Sequence, residues 1–186
     1  MGATGGAVYA GVRGAVIITA LTFIMTSNAF GMHPFVEMGV VRPKVRKAAP
    51  PFTLEGVEGG GSTTLEAYRG KVVLLHFWAT WCDPCREEMP ELEALWQRVK
   101  GSDIVILAVA GDRGKIGKVG AFCKKHGITF KVLHDPDGRV RRLYEVTGLP
   151  TSYLIGSDGK ISGKVIGARH WSGEASKKLF DHLTGR

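Results

Sequence analysis

The stretch Leu74-Leu75-His76-Phe77-Trp78-Ala79-Thr80-Trp81-Cys82-Asp83-Pro84-Cys85-Arg86-Glu87-Glu88-Met89-Pro90 changes character at its two cysteines. Before them, Lys71 to Phe77 is β-branched and apolar enough for a buried parallel strand. After them, Leu92, Leu95, Trp96 and Val99 fall at i, i+3, i+4 and i+7, the stripe of an amphipathic helix. The cysteines therefore lie at a strand-to-helix junction, where unpaired N–H groups and the helix dipole favour negative charge on the first sulfur. Two intervening residues across one helical turn let the second sulfur reach the first, and Pro84 suits an early helical position that needs no N–H. The spacing predicts a redox dithiol: Cys82 attacks a partner's disulfide and Cys85 resolves the mixed disulfide. C-x-x-C is also half of a zinc site, so the context has to decide.

A chain of 186 residues that is 44% hydrophobic can bury one ordinary core. Three cysteines are too few for a disulfide-stapled scaffold, and the odd count leaves at least one thiol outside any intramolecular pair. The formal net charge of +8 is unevenly spread. Residues 1–47 hold five Lys/Arg and one acidic residue, which leaves 20 basic against 16 acidic side chains for residues 48–186. No basic stripe interleaved with aromatics runs through that second part, which argues against nucleic-acid binding.

Arg13, the apolar run Gly14 to Met25 and the small residues Ser27-Asn28-Ala29 have the order of a secretory signal, so residues 1–29 are expected to be a signal peptide or a membrane anchor. An apolar run of about 12 residues falls short of the roughly 20 that cross a bilayer, which favours cleavage after Ala29. Residues 30–47, with Pro34, Pro43 and four basic residues, show no sustained period and are expected to be a linker in which His33 is solvated. Residues 48–186 then alternate strand and helix: Phe52 to Leu54 (strand), the Cys82 helix, Asp103 to Ala110 (strand), Lys115 to His126 (helix), Phe130 to Leu133 (strand) and Val140 to Tyr144 (helix). Thr151 to Ile155 and Lys160 to Ile166 flank Ser157-Asp158-Gly159, a hairpin signal, and Ser172 is expected to cap a last helix with Leu179, Phe180 and Leu183 inward. The fold class is α/β, a central mixed sheet with a parallel βαβ unit and a C-terminal antiparallel hairpin, flanked by helices.

With these elements the chain resembles thioredoxin-fold proteins, and more narrowly the extracytoplasmic TlpA/ResA-like thiol:disulfide oxidoreductases. The resemblance spans residues 48–186 and rests on Ala49-Pro50-Pro51-Phe52-Thr53-Leu54, Gly70-Lys71-Val72-Val73-Leu74-Leu75, the Phe77 to Pro90 segment and Gly148-Leu149-Pro150-Thr151. It implies a reductase of client-protein disulfides outside the cytoplasm, among them apocytochrome c or respiratory-oxidase assembly factors. It also implies electrons from a membrane donor of the DsbD/CcdA kind; the protein itself is expected to be a monomer with no cofactor beyond the redox-active Cys82–Cys85 disulfide and no bound metal. By resemblance Pro150 is cis and faces the dithiol, with Leu149, Thr151 and Trp81 contacting the substrate. Glu88 matches an acidic residue that moves a proton to or from Cys85, whereas a solvated helix glutamate, as Glu87, Glu91 and Glu93 are expected to be, is the plain alternative.

One departure stands out. Where cytoplasmic thioredoxins carry a buried aspartate, six residues before the first cysteine, this sequence has His76. It is read as a buried neutral histidine bonded to backbone, or as a proton relay. Asp83 and Arg86 flank the sulfurs with opposite effects on their ionisation, and Trp78 is expected in the core. Three alternatives stand beside the reductase. Cys82, Cys85, Cys123 and His126 can be written as a three-sulfur, one-nitrogen zinc set, although a buried apolar Cys123 is the commoner case. A redoxin-type peroxidase needs a threonine three residues before the attacking cysteine, where this chain has Ala79. A disulfide-donating oxidase or isomerase differs only in potential.

Overall fold

A computed structural model describes residues 1–2, 33–59, 61–114 and 116–185. The export-signal reading of Gly14 to Ala29 lies outside the described residues, as does Lys115. Among the described residues no helix is long and apolar enough to cross a membrane.

The strands are Thr53–Gly56 (β1), Ser62–Thr64 (β2), Val72–Trp78 (β3), Ile104–Ala110 (β4), Lys131–His134 (β5), Thr151–Ile155 (β6) and Ile161–Ile166 (β7). The helices are Pro34–Glu37 (α1), Asp83–Val99 (α2), Gly117–Lys125 (α3), Arg139–Leu143 (α4) and Glu174–Thr184 (α5). All strands join one sheet in the order β2-β1-β5-β4-β3-β6-β7. Its centre is parallel, β3 against β4 and β4 against β5, and the pairs outside it are antiparallel. β3 and β4 are buried along their whole length, which their continuous apolar sequences require of central strands covered on both faces.

Alternation along β3 divides the interior. Val72, Leu74 and Trp78 face the side covered by Met89, Leu92 and Leu95 of α2, Val119 of α3 and Leu179 and Phe180 of α5. Val73, Leu75 and Phe77 face the opposite core, with Phe52, Leu54, Val140, Tyr144 and Tyr153. α2 is one continuous helix through Pro90, whose missing N–H removes the bond back to Arg86.

From residue 33 onward the expected linker is instead part of the fold. Phe35 and Met38 are buried against α5, Phe35 lying edge-on to His182 with ring centroids 5.4 Å apart and the Arg42 guanidinium 4.6 Å above it. Val41 exchanges two backbone hydrogen bonds with Lys164 of β7, at 2.8 and 2.9 Å, and Ala48 bridges to Lys160. A single helical turn is too short to show a period, and the backbone bonds that follow it leave no mark on composition. His33 is exposed, as expected, but its Nδ1 also accepts the Phe35 N–H at 3.4 Å and so caps α1.

Two further differences are local. β1 pairs antiparallel with β2, a strand that the sequence reading of Phe52 to Leu54 does not include. The last helix is capped by Gly173, and Ser172 directs its hydroxyl to Glu91.

Candidate active site

The apolar run of β3 ends at Trp78, and after four residues α2 begins. Cys82 is its N-cap: the backbone is extended there and Sγ accepts the Cys85 N–H at 3.3 Å, satisfying one of the donors a helix start leaves open. Cys82 and Cys85 are joined in a disulfide with Cα atoms 5.2 Å apart. Cys82 keeps 7% of its surface, and Cys85 keeps none. The first sulfur is therefore the one a partner can reach. Arg86 donates to Asp83 at 2.8 Å on the exposed side of the turn, so the two opposite charges beside the sulfurs are paired with each other.

The loop leading to Cys82 is fastened to the sheet. Asp112, just beyond β4, accepts the Thr80 N–H at 3.1 Å and the Thr80 hydroxyl. His134, at the end of β5, donates Nε2–H to the Asp112 carbonyl at 2.9 Å. Asp112 was not singled out from sequence, because a lone aspartate after a strand carries no periodic signal. His134, with no ligand partner at a fitting spacing, reads as a surface histidine but is buried at 6% exposure, because β5 turns its ring in toward the chain just beyond β4.

β6 runs antiparallel to β3 with Phe77 opposite Thr151, which brings the Leu149-Pro150 segment to the sheet end from which the Cys82 loop departs. The Leu149–Pro150 peptide bond is cis. Leu149 is half-buried, and Trp81 is 64% exposed on the rim. Thr151, expected among the substrate contacts, is turned inward: its buried hydroxyl donates to Gly148 O at 2.8 Å, so its side chain shapes the loop and does not face a partner. Trp78 is fully buried as expected, its ring 5.2 Å from that of Phe122.

Glu88, one turn after Cys85 on the buried face of α2, is only 2% exposed, which excludes the solvated reading. Its Oε1 accepts the Arg169 N–H at 3.0 Å and the Trp171 indole N–H. Burial pushes its acid midpoint up to about 7 against the opposing pull of those two donors. Glu91 and Glu93 are likewise tethers: Glu91 accepts from the Ser172 N–H and hydroxyl, and Glu93 accepts the Thr129 N–H at 2.8 Å. Glu87 is exposed, as expected.

His76 is fully buried on β3. Its Nδ1 meets Ser152 Oγ at 2.9 Å, a side-chain partner where a backbone partner was expected, and its Nε2 lies 3.9 Å from Glu88 Oε2. Burial drives its midpoint down to about 3, so the ring is neutral. Ser152 was missed because its one signal, lying opposite His76 in the strand pair, needs the register.

Cys123 is buried in α3, where burial raises its thiol to about 11, and His126 stacks on Phe122 with centroids 4.2 Å apart. Among the described residues no three His, Cys, Asp or Glu side chains gather as metal ligands, so the four residues of the zinc reading are not brought together.

Residues 45–164 match the AhpC/TSA family model. The thiol-disulfide oxidoreductase ResA of Oceanobacillus iheyensis is 36% identical over 156 residues, 82% of this chain and 77% of that one. The chain belongs to the AhpC/TSA family, and it is a thiol-disulfide oxidoreductase. The ResA of Bacillus cereus is 34% identical over 152 residues, covering 82% of this chain and 83% of its own. A Chlorobium tepidum crystal structure named as a thiol:disulfide interchange protein DsbE superposes with a TM-score of 0.67 at 34% identity, covering 74% of this chain and 96% of that one. The thiol-disulfide oxidoreductase of Bacteroides fragilis gives 0.62 at 30% identity, over 74% of this chain and all of the other. These neighbours share the thioredoxin-type mixed sheet expected from the alternation of strands and helices.

Proposed function

We propose that this oxidoreductase works as a reductase of protein disulfides outside the cytoplasm. The observation that carries the reading is the asymmetry of the pair: an accessible Cys82 whose sulfur receives a helix-start N–H, backed by a wholly buried Cys85. In the reduced protein Cys82 attacks one sulfur of a client disulfide as a thiolate, forming a mixed disulfide and releasing the other client sulfur as a thiolate that takes a proton. Cys85 then loses its proton and attacks Cys82 Sγ. The second client thiol leaves, the Cys82–Cys85 disulfide closes, and two electrons have passed to the client.

Glu88 is the base for the second step, a buried carboxylate one helical turn from Cys85 whose affinity for a proton is raised into the neutral range. Pro150 and the Leu149 backbone hold the extended client strand against the sulfurs, with Trp81 as apolar rim. A membrane dithiol donor of the DsbD/CcdA kind restores the dithiol. Apocytochrome c and oxidase assembly factors are the client class the sequence resemblance supports, and the signal-like residues 1–29 support export. Ala79 at the place where a peroxidase needs threonine weighs against peroxide chemistry.

The test is Cys85→Ser expressed with its leader. Disulfide-linked adducts on Cys82 carrying identified client cysteines support the proposal, and a variant that traps nothing while folded refutes it. A glutathione redox titration of the wild type separates reductant from disulfide donor, since the tenfold step in equilibrium constant for this two-electron couple is about 30 mV.

A further inference from the structure

Two orphaned atoms in the interior face one another. Among the described residues, His76 Nε2 and Glu88 Oε2 are each buried without a hydrogen-bond partner, and they stand 3.9 Å apart. Leaving either group unpaired in a dry interior is costly, and a shift of about 1 Å would bring the two atoms to hydrogen-bond distance. The remaining atoms of both side chains are committed. Glu88 Oε1 is held by Arg169 N and the Trp171 indole, and His76 Nδ1 by Ser152, its register partner across β3 and β6.

We propose that His76 is the positioning residue for Glu88: its Nε2 accepts the proton that Glu88 carries on Oε2, and Ser152 holds the ring in the tautomer that leaves Nε2 free to accept.

The chemistry of the neighbours gives this direction. Burial has raised Glu88 to about 7 and lowered His76 to about 3, so a single proton shared by the pair resides on the carboxyl, and a neutral acid faces a neutral base. A neutral imidazole accepting at Nε2 has its hydrogen on Nδ1, which then donates to Ser152 Oγ. The surroundings supply little competing charge. β4 presents Ala108 beside His76, β6 presents Ser152, and α2 itself adds Cys85. Among the described residues the cation that acts on Glu88 is Arg169, which turns its guanidinium to Met38 O and Ala168 O. The pair rests on the reductase reading only in what it is for: it sets the pH range over which Glu88 can take the Cys85 proton as the disulfide closes.

The experiment follows the Glu88 carboxyl by 13C NMR and the His76 ring nitrogens by 15N NMR across pH in the full-length oxidised protein. Wild type is expected to titrate at Glu88 in the neutral range, with the His76 hydrogen on Nδ1. His76→Asn places its amide near the Nδ1 position only and removes the acceptor, and the Glu88 midpoint should fall by about one unit or more. His76→Gln restores a neutral acceptor at the Nε2 position and should recover most of that shift. Ser152→Ala frees the tautomer, allows Nε2–H to donate to the carboxylate, and should also lower the midpoint; it stands in if the histidine variants do not fold. An unmoved midpoint in both His76→Asn and Ser152→Ala, or an Nε2-bound hydrogen in wild type, overturns the proposal.

The pH profile of client-disulfide reduction is read in parallel. If wild type reduces nothing, the reductase reading fails while the carboxyl titration still decides the pair. If it reduces clients but its profile does not follow the Glu88 midpoint among the variants, the assigned role for Cys85 falls.

Discussion

Replacing Glu88 with glutamine should change the pH dependence of stability in a way that reveals two opposed titrations. Glutamine keeps the carbonyl oxygen to which Arg169 N and the Trp171 indole donate, and removes only the ionisation. Folded Glu88 holds its proton up to about 7 against an ordinary 4.5, so its contribution is complete below pH 4.5 and lost as pH rises through 7. At 1.36 kcal/mol per unit this amounts to about 3 kcal/mol. His76 acts in the opposite sense. Its midpoint is lowered from 6.5 to about 3, so its contribution is complete above pH 6.5 and lost as pH falls through 3. Between pH 4.5 and 6.5 the slopes cancel, and the wild-type profile from this pair is nearly flat.

In Glu88→Gln the histidine slope stands alone. The stability difference between variant and wild type should therefore move in the variant's favour by about 3 kcal/mol between pH 4.5 and pH 8. Urea unfolding of the oxidised proteins, followed by tryptophan fluorescence at several pH values in that range, measures it. A difference that drifts by less than about 1 kcal/mol would show that the buried carboxyl does not keep its proton, and the reasoning would be wrong.

Three other outcomes are expected. Trp171→Phe keeps the aromatic packing against Phe180 but strips one donor from Glu88, and should cost about 1–3 kcal/mol in denaturant unfolding, with a higher Glu88 midpoint. Glu145 holds φ at 52° directly after α4, a left-handed position that favours glycine, so Glu145→Gly should gain about 0.5–1 kcal/mol and raise Tm by a few degrees. Phe35→Ala should cost about 3 kcal/mol or more because the ring is buried against α5; a value under about 0.5 kcal/mol would return residues 33–47 to linker status.

Legibility from sequence followed the physical range of each signal. β3, β4 and α2 announce themselves through long apolar runs and a helical stripe, and the Gly148-Leu149-Pro150-Thr151 segment through its match to known relatives. What was not legible depends on contacts between distant parts of the chain. Phe35 and Met38 occupy one short turn whose burial exists only because α5 arrives nearly 150 residues later. Glu91 and Glu93 look like surface helix charges until Ser172 and Thr129 come to meet them. Glu88 was marked by its match to the resembled family, but its burial and its bonds to Arg169 N and the Trp171 indole depend on a loop about 80 residues further on. Ser172 is a good cap by residue type, yet its hydroxyl is engaged by Glu91, so Gly173 takes the capping position.

The fastening of Thr80 to Asp112, and of Asp112 to His134, has a mechanical corollary. In the mixed disulfide of the proposed reductase cycle, thermal tugging on Cys82 would be passed along these bonds into the ends of β4 and β5. The strands that bear the load are members of the parallel centre, so the hitched sulfur keeps its aim even as its cargo tumbles.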